Sequence, residues 1–498
     1  MNARSADEPG ERIRVLHTLA VSVPHLNGYA VRSRYLVATQ QRMGRFRPTV
    51  ITSPFYAGNP ASWRQGAWDG VRHHRVPHPT DSPADDLGDR LAATLYRARR
   101  TRLFAAARSA AERLGRPGGG SAAGVDLGSE RGGGGRRPRG RGASAGRLAA
   151  AADSLEERLL MRRFERHIRA LARAEGSAVI HAHSPYRTAL PAIAAARALG
   201  LPCVYELRGV WEDSAVASGR FEMGGAAYRA WRRKETRALL SADAVVCICE
   251  ALRQEVLHRG VDPSRVFVVP NAVDSERFAP PDPATAPGEV ESLRRSLRGT
   301  VFGYVGSVRA LEGVDELARA VAELVRRGHD VSLLVVGGGE VEELRRLTRQ
   351  LELGPRAQVI GAVPHEVVAH YYGLIDGFVV SRPDIRVARL VTPLKPLEAM
   401  ALGRPLIVSD LPALREIVRP GETGLVYQPG DPADLADRCE ELIADPARRT
   451  RLAEAARRWV VRERSWEAAI APLATVYETA CQAAASRARG TEAPPDPR

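Results

Sequence analysis

The feature that most constrains this chain is a double alternation. Short apolar runs that read as strands are separated by helical stretches, and the pattern is played twice. The first series opens with a strand at residues 13–19, a loop at 24–28, a helical stretch from Tyr29 to Met43 and a strand at 49–52. After an interruption it resumes with strands at 178–183, 203–207, 244–249 and 266–269. Pro270 and a Pro/Asp/Ala-rich stretch at 279–288 then mark a boundary. The second series has strands at 300–305, 331–336, 358–360, 377–381 and 405–409, and the helix after its first strand carries Val314, Leu317, Ala318, Val321, Leu324 and Val325 at helical spacing. Two such series imply an α/β chain with two parallel, doubly wound sheets. Ligands in that architecture bind at the carboxyl ends of the strands.

The predicted organisation follows. Residues 1–278 form an N-terminal domain, interrupted at 91–174 by an Arg-rich helical insertion. Its middle, 115–146, is dominated by Gly and Arg and has nothing to bury, which predicts disorder. Residues 279–299 are a linker and 300–460 the C-terminal domain. A helix within 461–498 is expected to cross back to the N-terminal domain before a disordered tail.

Lys plus Arg number 73 against 58 Asp plus Glu, a formal charge of +15, which favours anionic partners. The basic excess lies partly in a Gly/Arg stretch without interleaved aromatics, so nucleic acid is not the expected partner. The insertion's helices, 91–114 and 148–174, set Arg beside apolar side chains such as Leu103, Phe104, Leu160 and Phe164. They predict attraction to an anionic membrane surface; the alternative is that the apolar stripes pack onto the N-terminal domain. Residues 1–12 are polar and read as no secretory signal, and no apolar run approaches the roughly 18 residues that span a bilayer. The five cysteines form no paired framework and read as core thiols in a reducing compartment. The expectation is a cytoplasmic protein, peripheral on the inner face of the membrane.

Chemistry is sought after the strands. Lys395 and Glu398 follow the 377–381 strand where a helix opens. A helix start attracts anions, Lys adds a point charge for a diphosphate, and a Glu one turn on can accept two hydroxyl hydrogen bonds, as a ribose offers. The competing reading is a surface Lys and a Glu favoured at a helix N-terminus. Glu206 and Arg208 end the 203–207 strand on one face, with Glu212 and Asp213 close behind. The carboxylates would bind acceptor hydroxyls and Arg208 a phosphate, unless the charges form an ion pair that fixes the loop. His181 and His183 end another strand as half of a metal site with no third ligand evident, so neither metal nor cofactor is expected.

The segment from Val391 to Val408, with Pro393-Leu394-Lys395-Pro396-Leu397-Glu398 at its centre, resembles the donor-site motif of glycosyltransferase family 4, retaining enzymes of the GT-B fold. Val269-Pro270-Asn271-Ala272-Val273-Asp274 resembles that family's hinge motif. Leu334-Val335-Val336-Gly337-Gly338-Gly339-Glu340 and Val359-Ile360-Gly361-Ala362-Val363-Pro364-His365 resemble its next two, in the family's order. Asn27-Gly28-Tyr29-Ala30, Tyr205-Glu206-Leu207-Arg208-Gly209 and the Lys395 segment are similar to the exosortase-associated, exopolysaccharide branch.

The resemblance implies two Rossmann-like domains flanking a cleft, a nucleotide-diphosphate sugar donor and a glycan or polyisoprenyl-linked acceptor. Glu398 would hold the donor ribose, Lys395 the diphosphate, Gly28 would let the backbone approach the donor phosphate, and Val363 and His365 would read the base. Three departures accompany it. The family's Glu eight residues before the ribose Glu is Leu390, its loop Arg and Lys are Ser307 and Glu312, and its N-terminal-domain His is Arg208. Lys395, with Arg309, Arg386 or Arg389, would then neutralise the diphosphate. The rival readings are a nucleotide-sugar epimerase on the same architecture and a degenerate, non-catalytic partner.

Overall fold

The computed structural model describes residues 12–23, 27–55, 65–81, 86–98 and 142–490. Its strands are β1 (Ile13–Leu19), β2 (Phe46–Thr52), β3 (Gln65–Trp68), β4 (Val71–Arg75), β5 (Val179–His183), β6 (Cys203–Leu207), β7 (Ala244–Cys247) and β8 (Val266–Val268), then β9 (Thr300–Val305), β10 (Val331–Val336), β11 (Ala357–Ile360), β12 (Gly377–Val380), β13 (Leu406–Ser409) and β14 (Leu425–Tyr427). One sheet runs β3-β4-β2-β1-β5-β6-β7-β8 and the other β11-β10-β9-β12-β13-β14. By contacts the chain divides into two compact units: residues 1–207, 219–245 and 475–498, and residues 208–218 with 246–474.

Both units are doubly wound α/β layers. In the six-stranded sheet every strand pair is parallel, and all six residues of β10 are buried, as in a sheet with helices on both faces. Its order reverses between β9 and β12, so the loops after those two strands flank the switch point, where ligands bind in open α/β sheets. The helix Val314–Arg326 buries Val314, Leu317, Ala318, Val321 and Leu324 against this sheet, the face its spacing predicted.

In the first unit the order reverses between β1 and β5. The helices Gly28–Arg42 and Leu473–Ala488 add buried Gln40 and Tyr477 to its interior. The helix Gly142–Ala174 sends Leu160, Phe164, Ile168 and Ala172 inward. Within the same stretch Arg163 is buried in an ion pair with Asp89, while Arg158 and Arg162 stay exposed. The apolar stripe expected to face a membrane is therefore spent on packing.

Other expectations shift. A helix covers residues 87–98, and the rest of the predicted 91–114 helix lies outside the described residues. So does 115–141, while 142–146 already belong to the backbone of the Gly142–Ala174 helix. The stretch taken as a linker contains the helix Gly288–Ser296, whose Val290 and Leu293 join the second unit's core beside Phe278. The hairpin β3–β4 was not anticipated. Its turn, Asp69-Gly70, has φ of 50° and 74°, the paired positive values that a two-residue type I′ turn requires. Cys203, Cys247, Cys249 and Cys439 are buried thiols, Cys481 is exposed, and none is bridged.

Two interior histidines make the first unit acid-sensitive. Burial is the main cause that lowers His73 to about 4, and burial, with the charges of Arg163 and Arg75, lowers His78 to about 4. The unfolded chain binds protons at these sites from about pH 6.5 downward and the folded chain only near 4. Stability is therefore intact above that window and falls as pH drops through it, by about 1.4 kcal/mol per pH unit for each group. Denaturation midpoints measured from pH 7 to pH 4 should fall accordingly, and His78→Gln should flatten the profile.

Candidate functional site

At the switch point of the second sheet, three loops close on each other. A Cβ on Gly313 (φ 62°) would stand 1.7 Å from the Ser381 carbonyl oxygen, and one on Gly337 (φ 148°) 1.9 Å from that of Gly306. Both are positions where backbone occupies the space a side chain would need. Ser381 Oγ donates to the Gly313 carbonyl at 2.7 Å, tying the end of β12 to the loop after β9.

Between these loops lies a buried carboxylate with two cations. Arg382 Nε and Nη2 each donate to Glu312 at 3.2 Å, and Lys395 Nζ donates to Glu312 Oε1 at 2.9 Å. Glu312 is interior, yet Arg382 and Lys395 outweigh its desolvation and hold its carboxyl far below the usual carboxylate range. Arg382 is buried as well, whereas the Lys395 side chain is 21% exposed, so Lys395 alone of the three reaches outward. Its amine lies 5.3 Å from the centre of the Tyr304 ring, and its stem runs where a Cβ on Gly306 would sit. Upstream, Asn271 Nδ2 donates to the Thr392 carbonyl at 2.8 Å, fixing the entry to the Lys395 segment.

Glu398 stands one turn beyond Lys395 on the short helix Lys395–Ala401. Tyr372 Oη donates to its Oε2 at 3.0 Å. Burial raises the Glu398 carboxyl above its ordinary value, opposed by that hydrogen bond and by the charges of Lys395 and Arg277. The helix spans seven residues, too short for a large macrodipole, so the positive charge at this place is that of Lys395. Val363 and His365 follow β11 and are half-buried, with the His365 ring 6.2 Å from Phe278.

The other predicted cations divide. Arg309 is exposed and makes no ion pair among the described residues. Arg386 is paired with Asp213 at 3.2 Å and Glu255 at 2.5 Å, and Arg389 with Asp384. Neither is poised for a diphosphate. Glu212 is likewise committed, to Arg259 at 2.6 Å. Glu212 and Asp213 thus take the loop-fixing reading rather than the acceptor-binding one.

In the first unit, Gly28 begins the helix Gly28–Arg42, with Asn27 as its cap accepting from the Ala30 amide at 2.9 Å. All five residues of β6 are buried. Glu206 is therefore interior, where Arg32 Nε donates to its Oε1 at 2.9 Å, and does not face open space as its place at a strand end predicted. Arg208, just beyond the strand, is 8% exposed. His181 and His183 have the third histidine that the sequence did not reveal, His17 of β1.

Two family models match the chain: "Glycosyltransferase Family 4" at residues 132–277 and "Glycosyl transferases group 1" at 289–459. The chain belongs to the family 4 type of glycosyltransferase. Alpha-D-kanosaminyltransferase of Streptomyces kanamyceticus is 28% identical over 61% of this chain and 78% of its own length. A D-inositol 3-phosphate glycosyltransferase of Nocardia farcinica is 32% identical over 44% of this chain and 49% of its own. In fold it is similar to Anabaena HepE solved with UDP, with a TM-score of 0.59 at 14% identity, covering 95% of this chain and all of that one.

In this glycosyltransferase the sequence singled out Lys395 and Glu398, and the structure brings both to the switch point. It missed Arg382 and Tyr372. Arg382 follows β12 directly, so its place after a strand end was the available signal; Tyr372 had none, since only the fold carries it to Glu398. Breaking a buried pair costs about 3–5 kcal/mol when the other charge is left alone, and Lys395 still leaves Glu312 one cation, so the low end applies to Arg382. Arg382→Ala should lower the denaturation free energy by that order, whereas Lys395→Ala, at a partly exposed position, should leave it within about 1 kcal/mol.

Proposed function

We propose that this glycosyltransferase moves a sugar, with retention of anomeric configuration, from a nucleotide-diphosphate sugar to a lipid-linked glycan during cell-surface or exopolysaccharide synthesis. The observation that carries the donor half is the pair Lys395 and Glu398 at the sheet's switch point. Lys395 is the partly exposed member of a charge cluster that keeps one positive charge in excess, and it meets the diphosphate, with exposed Arg309 beside the same loop. Glu398, steadied by Tyr372, accepts the ribose hydroxyls. Loop backbone around Val363 and His365 borders the base. HepE, similar in fold, was solved in complex with UDP, which supports a nucleoside diphosphate as the ligand class.

Retention follows a same-face substitution. The departing diphosphate oxygen takes the acceptor hydroxyl's proton as that hydroxyl attacks the anomeric carbon, and the protein supplies positioning and charge neutralisation. Arg208 is retained here as the cation beyond β6 that meets substrate phosphate; Glu206, interior and paired with Arg32, is not.

Lys395→Ala and Glu398→Ala each remove one charged hydrogen bond, about 1.5–3 kcal/mol, and should lower transfer roughly 10- to 100-fold. Steady-state kinetics with donor both saturating and limiting tests this, after a thermal-shift screen across UDP, GDP, ADP and TDP selects the nucleotide. Near-wild-type rates in both variants would refute the donor assignment. The product's anomeric configuration, read by proton NMR, tests retention.

The acceptor half places the enzyme at the anionic cytoplasmic leaflet. With the apolar stripe of Gly142–Ala174 turned inward, attraction falls to exposed basic side chains such as Arg158 and Arg162, at about 1 kcal/mol each. The protein should float with anionic liposomes at low salt and sink at high salt or with neutral lipid. Sedimentation away from anionic vesicles at low salt would point to a soluble acceptor.

A further inference from the structure

The interior of the first unit carries a polar cluster that glycosyl transfer does not use. In the β1–β5 register His17 is opposite His181, and in the β5–β6 register His183 is opposite Glu206. Neighbours opposite one another in a parallel sheet share a face, and His181 and His183 are two residues apart. All four side chains therefore project from one face of the sheet, and all four are fully buried. One nitrogen from each of His17, His181 and His183 converges so that the three lie within 4.8 Å of one another.

The outward nitrogens each face an oxygen. His17 Nε2 lies 2.8 Å from Gln40 Oε1, His181 Nδ1 2.9 Å from Tyr477 Oη, and His183 Nδ1 3.6 Å from Glu206 Oε1. Gln40 is set by its own amide, which donates to Tyr477 Oη at 2.8 Å, and Glu206 by Arg32. When the outer nitrogens carry the protons, the inner nitrogens present lone pairs. This is the arrangement of metal-ligating histidines, whose second N–H is held by a carboxylate, carbonyl or other oxygen. The inner contact between His17 Nδ1 and His183 Nε2, at 2.9 Å, then needs a cation between them, or a proton on one of them. A proton bridges only that pair, whereas a divalent ion is shared by all three nitrogens.

We propose that His17, His181 and His183 bind a divalent transition-metal ion of the zinc class, with Glu206 Oε2, 3.4 Å from His181 Nε2, as the fourth ligand. Three imidazoles and a carboxylate suit zinc, which takes four N and O ligands at about 2.0–2.2 Å. Tetrahedral bonds of that length separate the nitrogens by about 3.3 Å, so the His17–His183 contact opens slightly on binding. His183 moves its proton from Nε2 to Nδ1, toward Glu206, and none need leave. The ion clamps β1, β5 and β6 together. Through Gln40 and Tyr477 it also fixes the two helices on that face. Its role is structural, because every ligand is buried.

The test uses the full, untagged chain expressed with added zinc and desalted into chelator-free buffer. Elemental analysis should find about one zinc per chain, and cobalt substitution should give the visible bands of a four-coordinate N/O site. His183→Ala and His17→Gln should lose the metal. If either variant fails to fold, the wild-type protein still decides: zinc should raise its melting temperature and a chelator lower it. Metal content near zero with a melting temperature indifferent to both would overturn the proposal, leaving a hydrogen-bonded histidine core. Undiminished metal in a folded His183→Ala protein would overturn it too.

Discussion

The loops at the second sheet's switch point depend on one buried carboxylate. Glu312 draws Arg382 and Lys395 to itself from two different loops, and in doing so joins the end of β9 to the end of β12. A lone carboxylate could not stay ionised there; the attraction of two cations exceeds the desolvation that burial imposes. Two cations against one anion leave a single positive charge, and only Lys395 presents it to the outside. Where the family resemblance implies loop cations, this chain has Ser307 and Glu312. The second replacement supplies an anchor, and the Lys it anchors comes from the neighbouring loop. Positive charge at this switch point is thus relocated to the neighbouring loop rather than lost.

Much of this was legible beforehand because it depends on short-range pattern. Strands such as Val331–Val336 are nearly continuous apolar runs, as sheets covered on both faces require. Lys395 and Glu398 were legible because one turn of helix separates them. What escaped notice depends on long-range register or on weak local signals. The β3–β4 hairpin has mixed polar strands at a sheet edge, and its Asp69-Gly70 turn was the only strong clue. β14 is three residues long. The helix Gly288–Ser296 sits behind a Pro-rich stretch whose composition reads as a linker, but Val290 and Leu293 find the core.

The misjudged residues share a cause. Glu206 sits at the next-to-last position of β6, and alternation with Arg208 made both look presented to a ligand. Strand alternation assigns faces, yet it does not say whether a helix covers the face. Here Arg32 reaches Glu206 from the helix that follows β1, a partner 174 positions away. His17 joins His181 and His183 for the same reason, through a strand pairing that no local pattern announces.

The two sheets consequently derive their stability in different ways. The second is apolar through its central strands, where cohesion is non-directional and tolerant of volume-conserving exchange. The first carries His17, Thr18, His181, His183 and Glu206 at its centre, where cohesion comes from directed hydrogen bonds and a paired charge. Such a network rewards complete satisfaction and penalises each missing member by the desolvation of the group left behind. Its members come from β1, β5, β6, the Gly28–Arg42 helix and the Leu473–Ala488 helix, so segments far apart in sequence are locked into the centre of the fold by polar contacts. The helix that begins with Gly28 is therefore held rigidly from beneath by Arg32 and Gln40.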